Sequence, residues 1–430
     1  MFSRKEVLLL GTLAFAKFTH ILDFMVMMPL GPQLMTTFGI TAQQFGILVS
    51  SYTLSAGIFA IIAAFFIDRF DRKKVLLLMY AGFLVGTLAC ALAGSYWQLM
   101  LARTLTGVFG GLLNTLILSI VGDSFELKKR ATATGIVMSA MSAAAAFGVP
   151  LGVYFAAMFS WQVPFYIVLG LATPIWFGIW QFVPAINSHL QTSSNIPAPI
   201  DLSEHLVDAN NPSPERHSVA NVSLITQSKR NPWEILTDIF GSFNQIKALS
   251  LGFCLVMGQF MIIPFIAPYA VKNLGFAPIE LTYIYLSGGA VSLLTGAIFG
   301  RLADKFGHKI IFIIAVLGSL LPFYLVTNLT TTSLPLILIC TSLFFIFVGG
   351  RAVPSMAMVM SSVPSRYRAS FMSFNTAFQQ LAAGAAALTS GFLIVETPTA
   401  LSNFNLVGYL AIGLSFVAIG VALWLRTAKE

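Results

Sequence analysis

The sequence predicts an all-α polytopic membrane protein with twelve transmembrane helices in two pseudo-symmetric six-helix bundles. Three observations carry this. The 430 residues are 57% hydrophobic and 9% charged, with a mean hydropathy of +0.85, whereas a soluble domain carries roughly 25% charge. Apolar runs long enough to cross a bilayer core, about 20 residues each, recur between Gly, Pro and charge breaks. They fall at 7–35, 44–67, 75–94, 97–122, 130–157 and 162–184, then at 247–272, 279–302, 309–330, 334–360, 366–395 and 402–426. Finally, a charged turn occurs twice: Gly300-Arg301-Leu302-Ala303-Asp304-Lys305-Phe306-Gly307-His308-Lys309 answers Ala64-Phe65-Phe66-Ile67-Asp68-Arg69-Phe70-Asp71-Arg72-Lys73, 236 positions earlier. The chain is a duplication, with bundles at 1–184 and 247–430.

Between them, 185–246 is rich in Ser, Asn, Pro and Thr and reads as a linker, disordered in its first part. Near its end Asn231 can cap and Pro232 suits a first helical turn. Trp233, Leu236, Phe240 and Phe243 then return on one side, the pattern of a short amphipathic helix on the membrane interface.

Charge placement sets the topology. Of 24 Lys and Arg, 20 lie at the chain ends or in alternate loops, and the intervening loops hold only Lys272. By the positive-inside rule both termini are cytoplasmic, in a multi-pass protein of the cell (inner) membrane. The net charge of +8 therefore reflects topology, which argues against a nucleic-acid partner. The first run is long enough to span and no cleavable signal is evident. Cys90, Cys254 and Cys340 lie in apolar runs without metal spacing. No phosphate loop or Ser-His-Asp set appears, so the chain reads as a non-enzyme, working without metal or cofactor.

Ionisable groups at bilayer depth are costly and normally face a protein interior or wet cavity. The first run carries Lys17, His20 and Asp23, within an arc of about 120° at 100° per residue. They share a face that should line a cavity, although Lys17 could snorkel and His20 could be a satisfied core residue. The fourth run carries Arg103, roughly 10 Å below its outer end, and Asp23 is roughly 24 Å along the first run, so the two reach similar depth. An Asp facing an Arg can release its partner on protonation; the alternative is a permanent structural pair. In the second half, Arg351 lies in the tenth run without an obvious acidic partner. The eleventh run offers Asn375 and Gln379 at i and i+4, and the seventh Gln259, for substrate or for inter-helix hydrogen bonds.

In the fifth run Ala140, Ala144, Gly148, Gly152 and Ala156 recur every fourth residue, a groove for close helix approach interrupted by Pro150. The eleventh run repeats the stripe at Ala382, Ala386 and Ser390, with Leu388 in place of the proline. By themselves such stripes are general membrane-helix packing; only with the family resemblance given below do both grooves read as rocking surfaces between the halves. Pro29 and Pro32 in the first run mirror Pro264 and Pro268 in the seventh, and both pairs should bend the outer ends.

The duplicated turns resemble the cytoplasmic loop motif of the major facilitator superfamily, G-x-L-x-D-R/K-x-G-R/x-R/K. The second copy is nearly complete; in the first, Ala64 and Asp71 replace the glycines. Leu99, Arg103, Gly107 and Gly110 resemble the helix 4 motif L-x-x-x-R-x-x-x-G-x-x-G of proton-coupled members. Gly148-Val149-Pro150-Leu151-Gly152 resembles the helix 5 antiporter motif in its G-x-P-x-G form, with alanines for the upstream glycines. The resemblance is to the twelve-helix drug/proton antiporters, and implies efflux of small amphipathic molecules by alternating access, driven by a proton gradient, in a monomer embedded in lipid. Asp23 and Arg103 would couple the proton; Lys17, His20, Arg351, Asn375, Gln379 and Gln259 would line the substrate cavity. Asp68, Arg69, Arg72, Gly300, Asp304, Lys305 and Gly307, with Gly148, Pro150 and Gly152, would gate the change of state. Asp68 and Asp304 would do so by meeting the N-termini of the eleventh and fifth helices while the cytoplasmic side is closed. Three interior cations against one anion would attract anions, so a proton-coupled carrier of an organic anion is the alternative; a non-transporting receptor is a third reading.

Overall fold

The computed structural model describes residues 2–63, 70–184, 241–330, 332–364, 368–397 and 400–428. Asp68, Arg69 and the interfacial helix expected near the end of the linker lie outside the described residues, apart from Phe243. The first half contains α1 (Arg4–Val26), α2 (Gly31–Phe38), α3 (Ala42–Ala63), α4 (Arg72–Leu92), α5 (Tyr96–Ser124), α6 (Leu127–Ala143), a π-helical turn (Ala144–Gly148), α7 (Val149–Met158) and α8 (Val163–Phe182). The second contains α9 (Phe243–Lys272), α10 (Leu281–Phe306), α11 (His308–Asn328), α12 (Leu334–Ser361), α13 (Arg368–Leu393), a two-stranded antiparallel ribbon and α14 (Phe404–Trp424).

With α6, the π turn and α7 taken as one crossing, and α2 as a short addition, each half has six long crossings. Eleven are long and apolar enough to span a membrane. The twelfth, α13, has 26 residues, and Asn375, Gln379 and Gln380 reduce its hydropathy. Both chain ends lie on one face, the terminal face. There Lys129 pairs with Glu6 at 3.0 Å, and the Ala428 N–H donates to the Ser361 carbonyl.

The two charged turns are built differently. Gly307 takes φ +94°, a conformation that costs glycine little. Its counterpart Asp71 keeps φ −58° and caps α4 instead, its carboxylate accepting from the Lys73 and Lys74 N–H groups. Arg72 then ties this turn to α5 through Asp123 at 2.7 Å.

The proline pairs also differ. In the first half the helix ends at Val26 and restarts with Pro32 in the first turn of α2, whereas α9 runs through Pro264 and Pro268 without a break. In the long helix containing Pro150, the missing N–H and the ring's conflict with the Ala146 carbonyl coincide with the π turn just before it.

The stripe through Gly148 and Gly152 does not lie between the halves. A Cβ on Gly148 would meet Leu22 and Phe18, and one on Gly152 would meet Val26, so this stripe packs on α1 of its own half. In the second half Asn375 and Gln379 of α13 likewise lie against Gly252 of α9. The faces that meet across the halves are neighbouring ones: Gly289 of α10 lies against the Ala145 and Ala146 backbone, and α3 packs along α13. On that second seam a Cβ on Gly46 would stand 2.6 Å from the Ala387 carbonyl oxygen, and one on Gly384 2.6 Å from Leu54. Four-residue spacing identified close-packed faces; which neighbour each face meets depends on bundle geometry.

The far face is closed. A Cβ on Gly31 would be 2.8 Å from both Phe45 and Pro268, the rings of Phe45 and Phe265 meet edge-on at 5.8 Å, and the Ala42 N–H donates to Glu396, which also pairs with Lys272. Toward the terminal face α6 and α10 part: across the halves α10 packs on the π turn and α7 far more than on α6, and among the described residues no atom of the opposite half comes within 4 Å of a Cβ built on Gly135, Gly296 or Gly300. Valine at Gly46 is expected to hold the far face apart. In a chain with Cys90, Cys254 and Cys340 replaced by serine and Phe265→Cys added, Gly46→Val should raise the rate of labelling by an impermeant thiol reagent severalfold; an unchanged rate would show that the seam does not govern closure.

Candidate functional site: a buried ion pair on three helices

The polar centre of the first half is assembled by glycines. Gly107 and Gly111 of α5 lie against the α3 backbone, where Cβ atoms would stand 2.3 Å from the Tyr52 carbonyl oxygen and 2.7 Å from that of Ala56. Gly110 faces the Tyr52 hydroxyl and His20, and Gly86 of α4 lies against Thr106 of α5. This close approach sets Arg103, seven residues into α5 and ~10 Å below the far face, directly over α3. Its guanidinium carbon lies 4.5 Å above the centre of the Tyr52 ring, a favourable cation–π placement.

Arg103 Nη1 donates to Asp23 Oδ2 at 2.8 Å, and the Thr87 hydroxyl donates to Asp23 Oδ1 at 3.2 Å. Asp23 is 0% and Arg103 1% exposed. A pair this deep is stable only with close geometry and additional hydrogen bonds, because removing each ion from water costs several kcal/mol after relaxation. Thr87 and the Tyr52 ring meet part of that requirement, while Arg103 Nε has no partner. The Tyr52 hydroxyl is 2.9 Å from His20 Nε2, and His20 Nδ1 has no partner. Asp23, Arg103, Tyr52 and His20 thus form one connected group.

Lys17 is 2% exposed and ends 2.8 Å from the Met138 sulfur, with no carboxylate partner among the described residues. It does not snorkel to the terminal face. In the second half Arg351 is 1% exposed; its Nη2 donates to the Leu255 carbonyl at 3.2 Å, its guanidinium lies over Phe323 at 5.0 Å, and Nε and Nη1 have no partner. Asn375 and Gln379 flank Gly252, and Gln259 is half-buried, making no hydrogen bond among the described residues. Of the gate residues, Arg72 pairs with Asp123, whereas Arg301, Asp304 and Lys305 are exposed and form no ion pair among the described residues. Gly300, Gly307, Gly148, Pro150 and Gly152 are placed as described for the fold.

Sequence reading missed Tyr52 and Thr87. Tyr52 had a signal: it lies in the hydroxyl-rich stretch Ser50-Ser51-Tyr52-Thr53-Leu54-Ser55, unusual for an apolar span. Thr87, alone between Gly86 and Leu88, had none.

Two bundles of six crossings around buried charge define a polytopic transporter. The chain belongs to the Major Facilitator Superfamily, whose profile matches residues 13–246 and 248–430. An uncharacterized transporter of the superfamily from Bacillus subtilis, YhcA, is 25% identical over 81% of this chain and 69% of its own. The efflux pump dotC of Dothistroma septosporum is 41% identical over 113 residues, 26% of this chain and 20% of its own. The crystal structure of a D-xylose–proton symporter superposes with a TM-score of 0.72 at 17% identity, covering 99% of this chain and 98% of that one; it shares the fold. Proteins of this family are transporters, not enzymes.

Removing one partner of a buried ion pair costs about 3–5 kcal/mol, because the other charge is left uncompensated, whereas replacing both with apolar groups is often neutral. Arg103→Leu alone is therefore expected to lower the melting temperature of purified protein sharply, and Asp23→Leu/Arg103→Leu to recover most of the loss. Additive losses in the double variant would show that the two side chains do not act as a pair.

Proposed function

We propose that the protein is a proton-coupled antiporter that exports small amphipathic molecules by alternating access between its two bundles. The observation that carries this reading is the fully buried Asp23–Arg103 pair. A proton arriving at Asp23 removes the negative charge that holds Arg103. The guanidinium is then a buried cation over the Tyr52 ring without its carboxylate, and the balance between conformations shifts. Substrate and proton occupy the site by turns, so their fluxes are opposed. The named efflux pump among the relatives supports export.

The positive-inside rule places the terminal face in the cytoplasm, which makes the arrangement described above, closed at the far face and parted between α6 and α10, a cytoplasm-facing state. In the opposite state Asp304 would reach the N-terminus of α6, and Asp68 that of α13, where backbone N–H groups favour a carboxylate. The protein works as a monomer in the cell membrane, with protons, lipid and a small molecule as its partners, and needs no cofactor or nucleic acid. A carrier of organic anions is the second reading; the burial of Lys17 and Arg351, neither of which meets a carboxylate among the described residues, favours it.

Purified protein in weakly buffered detergent should release protons when a transported compound is added from a panel of cations, neutral molecules and anions. Asp23→Asn should bind without release. Because proton and substrate compete, acidification weakens substrate binding, by at most about tenfold in apparent Kd per pH unit for one coupled proton. Binding with no proton signal in either protein would overturn the antiport mechanism.

A further inference from the structure

Arg351 is buried without an anion. At 1.5 Å per residue it lies ~25 Å from the start of α12 and ~15 Å from its end, deep in the span. Among the described residues its one hydrogen bond goes to the Leu255 carbonyl, and Nε and Nη1 meet no partner there, at a side chain that is almost wholly buried. A buried donor without an acceptor costs about 1–3 kcal/mol, more where the group is charged. Phe323 compensates through its face alone.

No described acidic side chain can serve it. The chain has 16 Asp and Glu, of which Glu6, Asp23, Asp71, Asp123, Glu126, Glu280, Asp304 and Glu396 are described. Asp23 is held by Arg103 in the other half, and the rest lie in first or last turns, caps and loops at the two faces. An anion at the depth of Arg351 therefore has to come from outside the described chain.

Two amides lie against the same stretch of α9. Asn375 and Gln379 flank Gly252, where a Cβ would be 2.8 Å from Asn375 Oδ1 and 3.1 Å from Gln379 Nε2. Gly252 precedes Leu255 by three residues, so all three side chains meet one face of α9 within ~5 Å of rise. Asn375 is buried, and it is the N–H2 of each amide, not its oxygen, that can donate to an anion. A guanidinium and two amides suit an oxyanion, since charge-assisted hydrogen bonds from Arg to carboxylate or phosphate are short and strong.

We propose that Arg351, Asn375 and Gln379 bind an oxyanion, a carboxylate or phosphate group, on the transported molecule. This rests on the transport reading only in taking the ligand for the substrate. Binding requires neither Asp23 nor a proton.

The test is the melting temperature of the purified full-length protein at constant ionic strength, with chloride as control. The probes are benzoate, naphthoate and phenyl phosphate, beside methyl benzoate and benzylamine. Wild type should be stabilised by at least one oxyanion over its ester and over chloride, the carboxylate and phosphate arms showing which group the site takes. Arg351→Met should abolish that stabilisation, and Asp23→Asn should retain it while losing proton release. Without any ligand, Arg351→Met should melt at or above the wild-type temperature, because an unpaired cation is replaced by an apolar chain of similar length. A marked fall there would make Arg351 a structural residue and overturn the proposal. So would a wild type indifferent to every oxyanion, or an Arg351→Met variant that responds equally.

Discussion

A carboxylate and a guanidinium taken out of water together impose conditions on everything around them. Their attraction offsets desolvation only at contact distance, so α1 and α5 must be held within a few tenths of an ångström. Gly107, Gly110 and Gly111 permit this, since any Cβ at those positions would collide with α3 or His20. The same approach sets Tyr52 beneath Arg103 and brings its hydroxyl to His20. The glycines that look like spacers in the fourth run are what make a buried ion pair attainable. A bundle that can lose this pair by one protonation has a built-in source of two states.

The two halves share a frame and differ in polar content. Each closes its charged turn, one with a positive-φ glycine at Gly307, the other with the Asp71 cap. Each packs the fifth helix of its bundle against the first through small or amide-bearing positions. The first half pairs one of its two buried cations, Arg103, with its own aspartate and sets the other, Lys17, on a methionine sulfur. The second leaves Arg351 with a carbonyl and a ring, about ten residues nearer the terminal face than Arg103 lies in its own bundle. The close backbone packing recurs in both halves, while the polar side chains it carries differ.

Closure is likewise a matter of backbone proximity. Gly31, Gly46 and Gly384 let helices of opposite halves approach until side-chain volume is the limit, and the far face is sealed by aromatic contact between Phe45 and Phe265. Few directional bonds cross this seam, Ala42 to Glu396 among them. A seam made mainly of dispersion contacts can open without stranding buried polar groups, which suits surfaces that separate in each cycle.

Sequence alone determined the class, the crossings and the duplication, because each is encoded locally: spans by length and hydropathy, the repeat by its turns. It also put Asp23 and Arg103 at matching depth, because rise per residue is constant along a helix. It did not reveal Thr87, whose role depends on which way α4 faces, nor that the stripe through Gly148 and Gly152 lies on α1 and not on the other half. Periodicity names a face, and only the arrangement of neighbouring helices names its partner. The convergence of Arg351, Asn375 and Gln379 on α9 joins residues from helices far apart in the chain. That meeting is a property of the packed bundle, set by rotations and crossing angles that no local pattern records.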